Sequence, residues 1–253
     1  MDISSTEIWD AIRRNSYLLY YQPKVDAKTN KIIGFEGLIR LKTATTILAP
    51  IDFFDDIVLL NATREMQDFV AETAIKQINQ LGGRFSISIN IPAHYVASST
   101  YMTFLHDYVK EHLKYPECLE IEIIERGEIT ELAIADKNLR KIKDLGVKVS
   151  MDDFGKGYSS LAYLRSLPID IVKTDMSFIA LLKTDRKQQI IIRAIVNLCH
   201  DLGGKVVTEG VEDMEQVEKL REMKVDYFQG YYFSRPLRWK ILKKNIPLCK
   251  MYK

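Results

Sequence analysis

Apolar, often β-branched runs recur along the chain at 17–25, 32–41, 85–91, 119–124, 147–151, 169–172, 205–208 and 227–233. Several are apolar almost throughout, the pattern of strands covered on both faces. Helical periodicity fills many of the gaps. Met66, Phe69, Val70, Ala74, Ile78 and Leu81 follow the i, i+3, i+4 rule, and Gly82-Gly83 supplies a stop. Ile191, Ile195, Leu198, Cys199 and Leu202 repeat the pattern, from a start near Thr184 or Asp185 to an end at Gly203-Gly204. Shorter helices are expected at 101–113, 131–145, 159–166 and 215–223. The first two strands are joined by residues 26–31, too short a link for a crossover helix, so they are read as antiparallel. From Phe85 onward strand and helix alternate, the signature of a parallel sheet or barrel.

Composition narrows this picture. A chain of 253 residues, 47% hydrophobic, can bury a full core, as one large α/β barrel or as two small domains. No low-complexity segment, linker or clear boundary interrupts it. The net charge of +2, from 36 basic and 34 acidic residues, aims no global field at a DNA or RNA duplex. Cys118, Cys199 and Cys249 are odd in number and lack metal-type spacing, which reads as reduced thiols in a cytoplasmic protein. Cys199, on an apolar helix face, reads as a small buried hydrophobe. The first fifteen residues carry Asp2, Glu7, Asp10, Arg13 and Arg14 without the apolar core of a signal peptide. No run approaches the roughly 20 apolar residues of a membrane span, so no membrane partner is expected. The segment 237–253 holds six basic residues and no acid, and reads as a helix that closes the barrel and then frays.

The chemistry sits at the strand ends. Glu36, Asn90, Glu122 with Glu125, Asp152 with Asp153, Lys173, Glu209 and Gln229 each close or follow an apolar run. When parallel strands close into a barrel, their carboxyl ends open on one mouth, and these residues would share an acidic, oxygen-rich pocket. The strongest local signal runs from Met151 to Ser160: a strand, two adjacent carboxylates, then a loop pinned by Gly155 and Gly157. Adjacent carboxylates reach one site only where the strand stops and the backbone turns; alone, the same residues read better as a simple turn, and the other strand-end acids shift the balance. Glu120 and Glu122 share one strand face, where an acid must be paired or metal-bound, and a salt bridge with Lys173 is the competing explanation. Asn90 alone would be an ordinary turn residue. His94, His106, His112 and His200 fall on loops or helices. An all-oxygen donor set selects magnesium, manganese or calcium over zinc or copper, and without a bound metal the surplus acid would shift its own pKa values upward.

Phe35-Glu36-Gly37-Leu38-Ile39-Arg40 resembles the Glu-Ala-Leu signature of the EAL-domain cyclic di-GMP phosphodiesterases. The resemblance runs from Tyr20-Tyr21-Gln22-Pro23 to Gln229-Gly230-Tyr231, through the Asp-Asp-Phe-Gly loop, Val-Lys-Thr-Asp at 172–175 and Thr-Glu-Gly-Val-Glu at 208–212. It implies an α/β fold, a TIM-like (β/α)8 barrel with an antiparallel first strand. The barrel is one domain over 1–253, with a core of about 15–240 and the basic tail at 237–253. It also implies two Mg2+ or Mn2+ ions. Glu36, Asn90, Glu122 and Asp152 would surround one, with Asp152 bridging to a second held by Asp153. Glu209 would act as general base or as a ligand near the attacking water, and Lys173 would position that water. Gln229 would complete the site, and Glu125 would hold the 153–160 loop in its working shape. Gln22 and Arg40 match substrate-contacting positions, and Asp175 would read a guanine edge. The implied reaction opens one diester bond of cyclic di-GMP to give linear pGpG, and the implied assembly is a homodimer. Gly37 stands where the signature has Ala, Ile124 where a Thr is common before Glu125, and Lys156 where a Thr is common in the Gly loop. The last two bear on rate and regulation. The rival functions are a silent cyclic di-GMP receptor or protein-binding module, and an unrelated metal-dependent barrel enzyme.

Overall fold

The strand-forming runs assemble into one ten-stranded sheet in the computed structural model, which describes residues 3–124, 129–155 and 160–245. The strands are β1 (Tyr17–Asp26), β2 (Ile32–Lys42), β3 (Ile47–Leu48), β4 (Ser86–Pro92), β5 (Leu119–Ile124), β6 (Lys148–Phe154), β7 (Ile171–Thr174), β8 (Lys205–Thr208), β9 (Tyr227–Phe228) and β10 (Leu237–Arg238). The helices are α1 (Ser5–Arg13), α2 (Phe54–Leu59), α3 (Thr63–Leu81), α4 (Ala93–Val96), α5 (Ser99–His112), α6 (Leu132–Lys143), α7 (Ser160–Ser166), α8 (Ser177–Ala180), α9 (Arg186–Asp201), α10 (Met214–Glu222) and α11 (Trp239–Asn245).

β1 runs antiparallel to β2, from Tyr17 opposite Leu41 to Val25 opposite Ile32, as the short 26–31 link requires. From β2 the ring continues in parallel through β4, β5, β6, β7, β8 and β9. It closes where Val25 of β1 meets Phe228 of β9, again antiparallel. The result is an eight-stranded TIM-like barrel with a reversed first strand, as expected; β3 and β10 are short additions to β2 and β1.

Alternation along each strand sorts the core from the site. Ile87, Ile89, Ile91, Ile121, Ile123, Val149, Met151, Val172 and Val206 are buried against the surrounding helices. The intervening Ser88, Asn90, Glu120, Glu122, Ser150, Asp152 and Lys173 turn into the barrel. An interior usually filled by branched apolar layers is here polar.

Helix boundaries follow their caps. α3 ends on Gly82 at φ 64°, a left-handed position, and Asp185 caps α9 by accepting from the Lys187 N–H. The phase of α9 differs from the sequence reading by one residue: Ile192, Ile195, Val196 and Cys199 face the barrel, while Ile191 is exposed. A run of three isoleucines leaves the helical phase ambiguous until the sheet chooses a face. Of the 227–233 run only Tyr227–Phe228 is strand, since two pairs with β8 satisfy it before the chain turns.

A second, smaller core gathers Ile8, Ala11, Ile12, Tyr17, Leu41, Leu48, Phe53, Ile57 and Met66 beside the carboxyl end of β2. It braces the barrel mouth with α1, α2 and β3. The tail segment turns through β10 into α11, whose Trp239 ring lies 5.3 Å from Tyr21; residues 246–253 of the basic tail lie outside the described residues. Cys118 and Cys199 are free and buried, and among the described residues no helix is long and apolar enough to cross a membrane.

Candidate active site

Parallel register brings the strand ends level. Gln22 stands opposite Glu36 across β1 and β2, and Asn90 stands beside Glu122 across β4 and β5. Asp152 lies near the end of β6, Lys173 within β7, Glu209 directly after β8 and Gln229 directly after β9. The seven residues from Glu36 to Gln229 meet in one bonded network. Asn90 Nδ2 donates to Glu36 Oε1 at 2.8 Å, and Gln229 Nε2 donates to Glu36 Oε2 at 2.5 Å and to Gln22 Oε1 at 3.2 Å.

Lys173, fully buried, is the hub of this network. Its Nζ lies 2.6 Å from Glu209 Oε1, 2.7 Å from Glu122 Oε2, 3.4 Å from Asp152 Oδ1 and 3.5 Å from Glu36 Oε2. Burial opposes its charge, but Asp152, Glu122, Glu209 and Glu36 together raise its pKa well above the lysine value. Burial also pushes up the pKa values of Glu36 and Asp152. Glu209 is pushed up to about 8, by burial first and by Asp152 and Glu36, against the pull of Lys173. Glu122 goes the other way: burial is outweighed by Lys173 and Lys24, and its pKa falls well below the carboxylate range. Among the described residues no three carboxylates stand at ion-ligating spacing as placed, which accords with the Lys173 ammonium lying between them.

The end of β6 is where adjacent carboxylates part. Its register against β7 shifts between Met151 and Phe154, and Asp153 takes φ 54°, a left-handed conformation costly for a residue with a side chain. The turn aims Asp152 and Asp153 into the mouth together, and the Asp153 N–H donates to Asp152 Oδ1 at 2.9 Å. Gly155 follows at φ 97°, where a Cβ would lie 2.5 Å from the Phe178 ring.

The mouth opens into two lobes that share Glu36, Leu38 and Asp152. One, of about 510 Å³, is also lined by Gln22, Met176, Glu209, Gln229 and Tyr231. The other, of about 300 Å³, is lined by Pro50, Phe54, Asn90, Ile124 and Asp153.

The EAL domain profile matches residues 6–236. The chain belongs to the EAL domain family. In structure it is similar to an EAL domain protein from Listeria monocytogenes EGD-e, at 94% identity and TM-score 0.95, over 98% of this chain and 99% of that one. It is also similar to the PaMucR phosphodiesterase in its c-di-GMP complex, at 30% identity and TM-score 0.84, over 94% of this chain and 98% of that one. In sequence it is 34% identical over 236 residues to the cyclic di-GMP phosphodiesterase NbdA of Pseudomonas aeruginosa, over 91% of this chain and 30% of that protein. The chain spans about three-tenths of the length of such curated relatives.

Within this EAL domain, the signature glutamate Glu36 forms the shared floor of both lobes. Gln22 stands in the larger lobe, its Nε2 donating to the Ser234 carbonyl at 3.2 Å. Arg40 shares the β2 face of Glu36 and Leu38 but lines neither lobe: its Nη1 donates to the Ile39 carbonyl at 2.7 Å, and its guanidinium lies over the Tyr20 ring. Asp175 is buried and lines neither lobe, accepting from the Ser177 N–H at 2.9 Å at the start of α8. Glu125 and Lys156 lie outside the described residues.

Sequence reasoning missed Lys24. Its Nζ reaches Glu120 Oε1 at 2.9 Å and Glu122 Oε1 at 2.5 Å. Its signal was available, because Gln22 and Lys24 are two apart in β1 and share the inward face. The lobe-lining Pro50, Phe54, Met176 and Tyr231 carried no such signal, since single apolar residues in loops are common.

Proposed function

We propose that the chain hydrolyses one phosphodiester bond of cyclic di-GMP, releasing linear pGpG, with two Mg2+ or Mn2+ ions in the barrel mouth. The observation that carries this reading is the acidic network centred on Lys173, lying under a cleft whose two lobes share Glu36 and Asp152. A cyclic dinucleotide can set one phosphodiester on that shared floor and send a guanosine into each lobe. The cyclic di-GMP phosphodiesterase NbdA and the c-di-GMP complex of the PaMucR phosphodiesterase support the same ligand chemistry.

The donor set fits hard cations. Every side-chain donor offered by Glu36, Asn90, Glu122, Asp152 and Asp153 to such an ion is an oxygen. Asn90 spends its Nδ2 on Glu36, while its Oδ1 is buried with no hydrogen-bond partner among the described residues. Burial first, and neighbouring carboxylates after it, raise the pKa values of Glu36, Asp152 and Glu209, and divalent ions would favour their charged forms. Glu36, Asn90, Glu122 and Asp152 would hold one ion, with Asp152 and Asp153 holding the other. When bound, the ions acidify the attacking water and stabilise charge on the phosphate.

The chain's own groups do the rest. Asn90 and Gln229 fix the Glu36 carboxylate, Gln22 accepts from Gln229, and Lys173 fixes both Glu122 and Glu209. Glu209, its pKa pushed up to about 8 by burial first, suits proton exchange with water near neutral pH. Arg40 uses one of its five N–H donors on the Ile39 carbonyl and keeps the others for a phosphate oxygen. Homodimerisation and a cytoplasmic setting remain part of the reading.

The test is to incubate the purified chain with cyclic di-GMP and Mg2+ or Mn2+ and separate the nucleotides by chromatography. Accumulation of pGpG with metal, and none with EDTA, is the expected result. Tight binding without pGpG by a folded protein replaces the hydrolase with a receptor.

A further inference from the structure

The fully buried Glu122 carboxylate is held by two ammonium groups, one on each oxygen. Lys173 Nζ lies 2.7 Å from Oε2, and Lys24 Nζ lies 2.5 Å from Oε1. Lys173 comes from β7 and also bonds Glu209, so it belongs to the mouth. Lys24 comes from β1, on a different part of the wall, and lies deeper, where Glu120 is its second partner at 2.9 Å. Lys24 and Glu120 are both buried, at 1% and 3% exposure, so neither is a solvated surface charge that happens to lie nearby. The small buried Ser88 and Ser150 stand in register with Glu120 and Glu122, leaving room for the long lysine in the barrel.

This geometry divides the labour on Glu122. Oε1 faces down to Lys24, and Oε2 faces the mouth, where Asp152, Glu36 and Glu209 also surround Lys173. Glu120 balances the charge of Lys24. The pair therefore orients Glu122 without adding net positive charge to a site that must attract cations.

We propose that Lys24, balanced by Glu120, is a positioning residue that holds Glu122 Oε1 and so presents Oε2 alone to a metal ion in the mouth. This rests on the metal-dependent reading above. Lys24 lines neither lobe of the mouth; it acts through a ligand, as outer-shell partners of metal-binding carboxylates do.

The decisive variant is Lys24→Met with Glu120→Met, which removes both charges together and leaves no orphaned ion in the barrel. Mn2+ affinity, measured by calorimetry on the full chain, is expected to fall about 10–100-fold. The circular dichroism spectrum should be retained, and KM for cyclic di-GMP at saturating metal should be unchanged. A general packing defect would shift KM as well. Should the double variant not fold, Glu120→Gln carries the test, because Lys24 then adds an unbalanced charge and Mn2+ affinity is expected to fall severalfold. Wild-type affinity in a folded double variant, or in Glu120→Gln where only that variant folds, overturns the proposal and leaves the hydrolase reading intact. A wild-type chain that binds neither Mn2+ nor Mg2+ overturns both.

Discussion

Glu36 is pinned from two sides, by Asn90 on one oxygen and Gln229 on the other, in a place where its charge is held at a cost. Burial raises its pKa in the fold, so at neutral pH ionising it disfavours the folded state relative to the unfolded chain. Glu36→Ala should therefore lower pGpG formation by about a hundredfold or more, at least the upper effect of an outer-shell partner. In EDTA, its Tm should stay level or rise. Turnover comparable with the wild type, or a Tm several degrees lower in EDTA, contradicts the role given to this side chain. At this scale the sequence exposed the acids well, because a carboxylate inside an apolar run needs a partner wherever it is. It did not pair them. The salt bridge of Glu122 with Lys173 was readable as an alternative, but the second lysine on Glu122 lies 98 residues away and only barrel closure brings it there.

Strand ends and the turns after them set the site, and two of these turns are testable. A Cβ on Gly230 would lie 2.0 Å from the Val211 carbonyl oxygen and 2.3 Å from its nitrogen, both backbone atoms that cannot swing aside. Gly230→Ala should destabilise by about 3 kcal/mol and lower Tm by about 6–12 °C. It should also weaken substrate binding through Gln229, as thermal unfolding and a KM measurement would reveal. At the opposite end of the barrel, aspartates tie neighbouring strands. Asp170 Oδ2 accepts from the Val149 N–H at 2.9 Å, and Asp226 Oδ2 accepts from the Val206 N–H at 3.0 Å. Burial works against the Asp226 carboxylate, but His200, Val206 and Lys205 outweigh it and lower its pKa. A lowered carboxylate pKa contributes stability that is full above the unfolded value and lost as pH falls through the folded one. Asp226→Asn should therefore cost about 1–2 kcal/mol at pH 7 and progressively less as pH falls below the ordinary aspartate value. Chemical denaturation at neutral and acid pH measures both, and a penalty independent of pH would refute it. Element types were legible because period-2 and period-3.6 patterns survive without context. The phase of α9 was not, nor were short elements such as α4 and α8, which carry too few residues for a period.

The whole barrel behaves as a scaffold under electrostatic load at its mouth, which divalent ions should lighten. A ligand that binds only the folded state adds about 2.7 kcal/mol at a hundred times its Kd. For a chain of this size, Mn2+ at that excess should raise Tm by about 5–10 °C, and Glu36→Ala should lose most of that rise. An unchanged wild-type Tm across a Mn2+ titration would remove the metal from the reading. The sequence by itself determined that strands alternate with helices, that the first pair is antiparallel, and that acids and amides stand at strand ends. These follow from local periodicity, a short link and the cost of a bare charge among apolar residues. Only the tertiary structure decided that Lys173 is the hub and that Lys24 supports Glu122 from below. It also decided that Pro50 and Phe54 wall one lobe while Met176 and Tyr231 wall the other. Those contacts depend on how a closed ring brings strands remote in sequence face to face, and no local pattern encodes that distance.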